Sequence, residues 1–358
     1  MNCSSERTSE SEEECTSYNR TKSQFDNTKD FDLLDSVALL RIYKKIEEEP
    51  SVNIINSIDV PYVTSELSCN FRRNVKCSFG VTDKRKHAIQ TLYCDDEMNL
   101  RQLYSVEKSA ERGNVLWIPD IYGNLPEYLL VASETLRLYE DMDSSLIFRG
   151  EFGNNHRNNP IVSCGWCSHD PQYICSVQLN GSCNIWSLER KNEVITFDLQ
   201  HFYNPNWNNV NTNVGMCFYQ GSFKHCFLTY SDNKVNLLND VRSPSSFRVY
   251  NFENRIFRVK CSTNSPWIVA CAERKNISLI DVRYPTTVIA SMSSFDPLED
   301  ASCFSWSLYD EIAIGTEKGK VLLWSPRKHE LFKVNSGFGY IHTIEYYHEE
   351  KDVLFVCH

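Results

Sequence analysis

Short apolar segments separated by turn-forming residues make up most of the chain, with no twelve-residue stretch of helical periodicity between them. Six segments share one pattern, in which an apolar residue, a polar residue and another apolar residue precede a large apolar residue. They end at Leu92, Tyr139, Trp186, Leu238, Ile280 and Trp324, so the pattern recurs every 42–52 residues. A period of about 40–45 residues is typical of one four-stranded unit of a propeller.

Two further strand candidates precede most of these segments. One is a second apolar run, as at 267–270, and the other ends in an aromatic residue, as at 115–117. Pairs such as Asn180-Gly181 separate the last two strands and tolerate the positive φ of tight hairpins. Such a sheet buries both faces only by stacking radially against others. The sequence therefore predicts an all-β fold, a β-propeller.

The way the ring closes follows from the two ends of the sequence. Residues 353–356 match the second strand of a unit, and Leu40-Arg41-Ile42-Tyr43 nearly repeats the segment that ends at Tyr139. We therefore expect seven blades, the last made of N-terminal strands within about 38–60 and C-terminal strands within about 340–357. Residues 39–44 would pair antiparallel with 352–357, which removes an open edge.

A helix is the competing interpretation for the N-terminal part of this seam. Asp30, Asp32 and Asp35 precede Lys44 and Lys45, which is the order of charges that a helix dipole favours. The backbone hydrogen bonds of residues 39–44 distinguish the two interpretations.

Charge and composition divide the chain unevenly. The first fifty residues contain 12 acidic and 7 basic side chains, and we expect residues 1–29 to form an acidic disordered tail before a single propeller domain at 30–358. The whole chain has 37 Lys and Arg against 47 Asp and Glu, which supplies no large positive face for nucleic acid. Its longest apolar run, 267–272, is far shorter than a membrane span, so we expect no membrane association and no secretion.

Fifteen cysteines do not indicate a disulfide framework or a metal site. The number is odd, and we expect a reducing compartment. Cys164 and Cys167 form the only C-x-x-C, which has no second ligand pair for zinc and lies in an alternating strand. Ordinary buried cysteines are the expected interpretation, and no metal or cofactor is expected.

Several segments carry a family resemblance. The repeat ends Trp186-Ser187, Ile280-Asp281 and Trp324-Ser325 resemble altered forms of the Trp-Asp end of WD repeats. Residues 115–139 and Asp281-Val282-Arg283-Tyr284-Pro285 are similar to stretches of the WD-repeat family that includes TRANSPARENT TESTA GLABRA and DDB- and cullin-associated factors. The resemblance covers roughly residues 52–357.

The resemblance implies a non-enzymatic scaffold for protein binding. It would hold a protein kinase or a transcription factor, or serve as the substrate receptor of a cullin-RING ubiquitin ligase, as a monomer within complexes. Three interpretations fit the clusters Arg72-Arg73 and Lys84-Arg85-Lys86-His87: a nuclear import signal, a contact for acidic partners, or solvated hairpin tips. We expect a protein of the cytoplasm and the nucleus.

The partner-binding residues come from the same resemblance. Related propellers use an Asp-x-Arg after the third strand of a blade, a pattern that Asp281 and Arg283 match, and that Asp240 and Arg242 match with a shift of one residue. The alternative is that Asp281 only holds its own hairpin by hydrogen bonds to the backbone. For Arg283 we favour binding, because an arginine can clamp a partner's carboxylate in bidentate fashion.

The remaining candidates concern the middle of the ring. Trp117, Trp166 and Trp306 each close an inner strand, and we expect them to be buried between neighbouring blades. No nucleophile elbow, phosphate loop or H-E-x-x-H occurs, so no catalytic residue is expected. An enzyme with a site at the central channel is the alternative. It is disfavoured because the inner strands begin with an apolar set, namely Val115, Val162, Val214, Ile256 and Ile341.

Overall fold

A computed structural model describes the strands and most hairpins of the chain. The described residues are 38–45, 52–60, 64–69, 78–83, 89–94, 100–106, 114–118, 127–142, 145–153, 159–167, 170–198, 214–219, 225–240, 249–293, 299–307, 309–335, 339–346 and 353–357. The chain divides into two units, Met1–Asp35 and Ser36–His358, and every described residue belongs to the second. The tail expected at residues 1–29 lies outside the described residues.

The described residues form strands and no helix, as the alternating pattern predicts. The first six strands are β1 (Ala38–Lys45), β2 (Val52–Val60), β3 (Thr64–Cys69), β4 (Ser78–Asp83), β5 (Ile89–Cys94) and β6 (Leu100–Val106). The next eight are β7 (Asn114–Ile118), β8 (Tyr128–Ala132), β9 (Leu136–Asp141), β10 (Leu146–Phe152), β11 (Ile161–Cys167), β12 (Asp170–Gln178), β13 (Ser182–Ser187) and β14 (Asn192–Asp198).

The C-terminal half continues in the same way. Its strands are β15 (Val214–Phe218), β16 (Cys226–Ser231), β17 (Lys234–Asp240), β18 (Val249–Asn251), β19 (Ile256–Cys261), β20 (Ile268–Glu273), β21 (Asn276–Asp281), β22 (Val288–Ser293), β23 (Ala301–Trp306), β24 (Ile312–Thr316), β25 (Lys320–Ser325), β26 (Glu330–Asn335), β27 (Thr343–Tyr346) and β28 (Val353–Cys357). Each of the six repeat ends that the sequence pattern identified lies in a third strand.

These strands form seven four-stranded antiparallel sheets within the described part of the chain. In the first six sheets, β3–β6, β7–β10, β11–β14, β15–β18, β19–β22 and β23–β26, neighbouring strands are consecutive in the chain. The turn-forming residues between second and third strands include Gly181 with φ 86° and Asp232 with φ 50°. Glycine and aspartate accept this conformation at lower cost than most residues, which is why the hairpins turn at these positions.

The seventh sheet joins strands from distant parts of the sequence. Its order is β2-β1-β28-β27, so β1 is a strand between two partners and not a helix. Leu40 lies opposite Cys357 and Lys44 lies opposite Val353 in the antiparallel pair of β1 and β28. On its other side β1 pairs with β2, from Ala38 opposite Val60 to Lys45 opposite Val52.

The first strands of the sheets form a closed cycle. Contacts run from β3 through β7, β11, β15, β19, β23 and β27 and return to β3. Apolar clusters lie between consecutive sheets, for example the one in which Met216 and Phe218 of β15 meet Cys175 and Val177 of β12. Where the structure describes the side chains, from β7 to β28, neighbouring sheets therefore bury faces against each other, as a propeller requires.

The tryptophans of the first strands differ in burial. Trp117 is 1% exposed and Trp306 is 4% exposed, and Trp306 packs between the β19–β22 and β23–β26 sheets. Trp166 is only partly buried, at the edge of the cluster that contains Ile118 and Ile174. Trp166 therefore meets the expectation of burial only in part, because its ring lies at the boundary of this cluster and also lines a cavity among the first strands.

Candidate functional site

One end of the β19–β22 sheet carries the Asp-x-Arg segment. In a sheet of consecutive antiparallel strands the first and third strands run in the same direction, so the loops that follow them lie at the same end. Asp281 ends β21, and its carbonyl accepts a hydrogen bond from the Tyr284 backbone N–H at 2.9 Å, which closes a tight turn. This turn projects Arg283 and Tyr284 outward.

Asp281 holds Arg283 through both carboxylate oxygens. Its Oδ1 accepts hydrogen bonds from the Arg283 backbone N–H at 2.9 Å and from Nε at 3.0 Å, and its Oδ2 accepts from the second guanidinium nitrogen at 2.6 Å. The hydrogen bonds from Arg283 hold the pKa of the Asp281 carboxyl below its usual value, although partial burial opposes them. The same pairing raises the pKa of the Arg283 guanidinium. The ion pair fixes the arginine in one orientation.

Two aromatic rings flank this arginine. The guanidinium carbon lies 5.1 Å from the centre of the Trp267 ring and 5.9 Å from the centre of the Tyr284 ring. Both distances are within the range of cation–π attraction. The Arg283 side chain is nevertheless 49% exposed, and Tyr284 is 65% exposed. The segment therefore presents an ordered cation and an aromatic surface to solvent.

The neighbouring sheet extends this surface. Arg327, in the turn after β25, forms an ion pair with Asp310 at 2.7 Å and reaches the Ser265 hydroxyl at 3.5 Å. Its side chain is 72% exposed, and nearby Tyr309 is 59% exposed. Because Ser265 belongs to the loop that ends beside Trp267, Arg327 links the two sheets. We call the surface formed by Trp267, Arg283, Tyr284, Tyr309 and Arg327 the arginine–tyrosine face.

The predicted site residues are only partly brought together here. Both readings of Asp281 fit its contacts, since it closes the turn and also orients Arg283. Asp240 ends β17 in a different sheet, and Arg242 lies outside the described residues. The sequence reasoning missed Tyr309 and Arg327, although a signal for Arg327 exists. It follows its repeat end, Trp324, by three positions, as Arg283 follows Ile280.

A cavity of about 540 Å³ lies among the first strands. Its lining includes the charged or titratable residues Arg258, Lys260, His342 and Glu345. The cavity is therefore more polar than the apolar residues at the beginnings of the first strands suggest. The Lys260 Nζ lies 2.9 Å from a Glu345 carboxylate oxygen. This ion pair joins β19 to β27, which are separated in the cycle of first strands by β23. Sequence reasoning missed it because the two residues are distant in the chain and meet only when the cycle of strands closes.

The described residues contain no group of three or more His, Cys, Asp or Glu side chains that could hold a metal ion. None of their segments forms a helix that is long and apolar enough to cross a bilayer.

Comparison with known proteins supports the fold and its general class. No protein-family model matches the chain. An uncharacterized WD repeat-containing protein of Schizosaccharomyces pombe is 30% identical over 97 residues, which are 24% of this chain and 22% of that protein. The crystal structure of Chaetomium thermophilum Raptor superposes with a TM-score of 0.65 at 14% identity, over 83% of this chain and 27% of Raptor.

The Raptor superposition supports a propeller-like arrangement of sheets, and the matched segment is similar to part of a WD repeat-containing protein. At 14% identity, the likeness to Raptor shows the fold alone. The chain spans about a quarter of the length of each of these two proteins.

Proposed function

We propose that this chain is a non-enzymatic WD-repeat scaffold that binds a protein partner through its arginine–tyrosine face. The observation that carries the proposal is the ordered position of Arg283, which Asp281 holds beside Trp267 and Tyr284 while half of its side chain faces solvent. Arginine, tyrosine and tryptophan are the residues most enriched among interface hot spots. A preorganised arginine also loses less rotamer entropy when it binds.

The finer assignment rests on the family resemblance of the Asp281-Val282-Arg283 segment. We assign the partner to the adaptor of a cullin-RING ubiquitin ligase, a protein kinase or a transcription factor, bound by a single copy of the chain in the cytoplasm and the nucleus. The seven sheets and the closed cycle of first strands support a seven-bladed ring spanning residues 30–358. In it the last blade combines β27 and β28 with β1 and β2.

An affinity capture from cells distinguishes the three partner classes. Tagged wild-type chain and an Arg283→Ala, Tyr284→Ala double variant are captured in parallel and scored for a cullin adaptor, a kinase and a transcription factor. The proposal expects at least one of the three classes with the wild type and its loss with the variant. The class of partner that is recovered then shows whether the chain serves a ubiquitin ligase, a kinase or a transcription factor.

The matched control is Arg190→Ala. Arg190 is exposed in the turn after the third strand of the β11–β14 sheet, and its backbone N–H donates to the Ser187 hydroxyl at 3.3 Å in a similar turn. This control should retain the partner. If the double variant retains it as well, while its melting temperature falls, the pair serves the fold and the proposal is wrong.

A further inference from the structure

Small side chains connect the first strands of neighbouring sheets. Four such bridges occur among the described residues, each accepting a hydrogen bond from a backbone N–H of the next sheet: Ser68 from Trp117 at 3.1 Å, Ser163 from Met216 at 3.1 Å, Cys217 from Cys261 at 3.3 Å, and Ser305 from Tyr346 at 3.4 Å. Three of the four acceptors are serine hydroxyls. A thiol sulfur is a weak acceptor, so the hydrogen bond alone does not require cysteine at position 217.

Cys217 and Cys261 are neighbours across one of these junctions, because the Cys261 backbone nitrogen lies 3.3 Å from the Cys217 sulfur. Both residues line the central cavity, and Cys217 is only partly buried. Both are free thiols. The fold thus places two thiols side by side at a surface that small solutes can reach.

The charges around this pair favour a thiolate on one member. The hydrogen bond from the Cys261 thiol, supported by the backbone N–H and by the positive charges of Lys260 and Arg258, holds the pKa of Cys217 below its usual value, although burial opposes this. Burial and the neighbouring Cys217 raise the pKa of the Cys261 thiol well above its usual value. The two thiols therefore differ in reactivity, because the thiolate is the nucleophile.

A second close pair provides the contrast. The sulfurs of Cys175 and Cys183 are 3.2 Å apart, but both residues are 0% exposed. Burial is the main reason that the pKa of the Cys175 thiol lies well above its usual value. The Cys217–Cys261 pair differs in that both residues line the cavity, Cys217 is only partly buried, and Lys260 and Arg258 lie near it.

We propose that Cys217 is a peroxide-reactive cysteine of the central cavity and that Cys261 is its resolving partner. The Cys217 thiolate attacks one oxygen of hydrogen peroxide, the O–O bond breaks, and a sulfenic acid forms while the other oxygen leaves as water after protonation. The Cys261 thiol then displaces the sulfenic hydroxyl as a second water, and a disulfide remains. Two thiols lose two protons and two electrons in total, and one peroxide is reduced to two waters.

The test exposes the full chain to stoichiometric hydrogen peroxide at neutral pH, blocks the remaining thiols with iodoacetamide and maps the peptides by mass spectrometry. We expect a cross-link between the peptides that carry Cys217 and Cys261 before any link between Cys175 and Cys183. The Cys261→Ser variant retains a hydrogen-bond donor for Cys217 and should accumulate a sulfenic acid there, which dimedone labels.

The matched variant Cys217→Ser restores the serine bridge of the other junctions and should give neither the cross-link nor the dimedone label at these positions. As a measurement that needs no variant, substoichiometric maleimide should label Cys217 first among the nine cysteines whose side chains the structure describes. A first cross-link or first maleimide adduct at any other of these nine would overturn the proposal. So would a folded Cys261→Ser chain whose Cys217 takes no dimedone.

Discussion

Truncation of Trp306 should weaken the packing between two neighbouring sheets. Trp306 is 4% exposed and belongs to the apolar cluster that also contains Ile277 of β21 and Ile312 of β24. A buried tryptophan removes about 150–250 Å² from water. At about 25 cal/mol per Å² this corresponds to about 4–6 kcal/mol, an upper bound for the transfer contribution.

Measured truncations of large core side chains give a similar cost, so we expect Trp306→Ala to lower the free energy of unfolding by about 3–5 kcal/mol. With about 2 °C per kcal/mol for a large domain, the melting temperature should fall by about 6–10 °C. The indole nitrogen of Trp306 has no hydrogen-bond partner among the described residues. Trp306→Phe loses no hydrogen bond and retains most of the apolar area, so its cost should be less than half as large.

Differential scanning calorimetry measures these shifts, and Trp166→Ala is the matched control. Because Trp166 is only partly buried, its truncation should lower the melting temperature much less than that of Trp306. A Trp306→Ala melting temperature within about 2 °C of the wild type would refute the packing argument. A Trp166→Ala shift as large as that of Trp306→Ala would refute it equally.

Three other perturbations test the turn, the core and the closing sheet. A Cβ at Gly315 would lie 2.7 Å from the Ile341 side chain, so Gly315→Ala should cost about 1–3 kcal/mol in chemical denaturation, and an unchanged midpoint would contradict the close packing. The lowered pKa of Asp281 means that its ion pair with Arg283 stabilises the fold above the unfolded pKa of about 3.9 and is lost as the pH falls through the folded value. The melting-temperature difference between wild type and Asp281→Asn should therefore be constant from about pH 5 to 7 and shrink below about pH 4, whereas a difference that grows in acid would be contrary to this. Ile42→Pro removes a backbone donor from β1, which pairs on both sides, and should lower the melting temperature; an unchanged value would mean that β1 contributes little to the seventh sheet.

The local elements were predictable because their information is local. Alternation and turn residues such as Asn180-Gly181 determine where a hairpin turns, and Gly181 has the positive φ that this requires. The similarity between the segments that end at Tyr43 and Tyr139 favoured a strand at β1 over the competing helix, and the structure shows a strand.

The site was less predictable because it depends on distances between sheets. The Asp281–Arg283 pair could be proposed from its motif, but the contact of Arg327 with Ser265 arises only when two sheets stack. The Lys260–Glu345 ion pair likewise needs the first strands to close into a cycle. The pattern along the sequence shows which residues lie on each face of a strand. It does not show which faces pack against each other in the folded chain.

The most direct test of the central claim is the affinity of the purified chain for the partner recovered by capture, measured by titration calorimetry. Arg283→Ala should weaken binding by roughly 30-fold or more, the loss that corresponds to a hot spot of about 2 kcal/mol. Arg190→Ala, from the equivalent turn of another sheet, should bind as the wild type does. An unchanged dissociation constant for Arg283→Ala, with a lowered melting temperature, would contradict a partner-binding role for the arginine–tyrosine face.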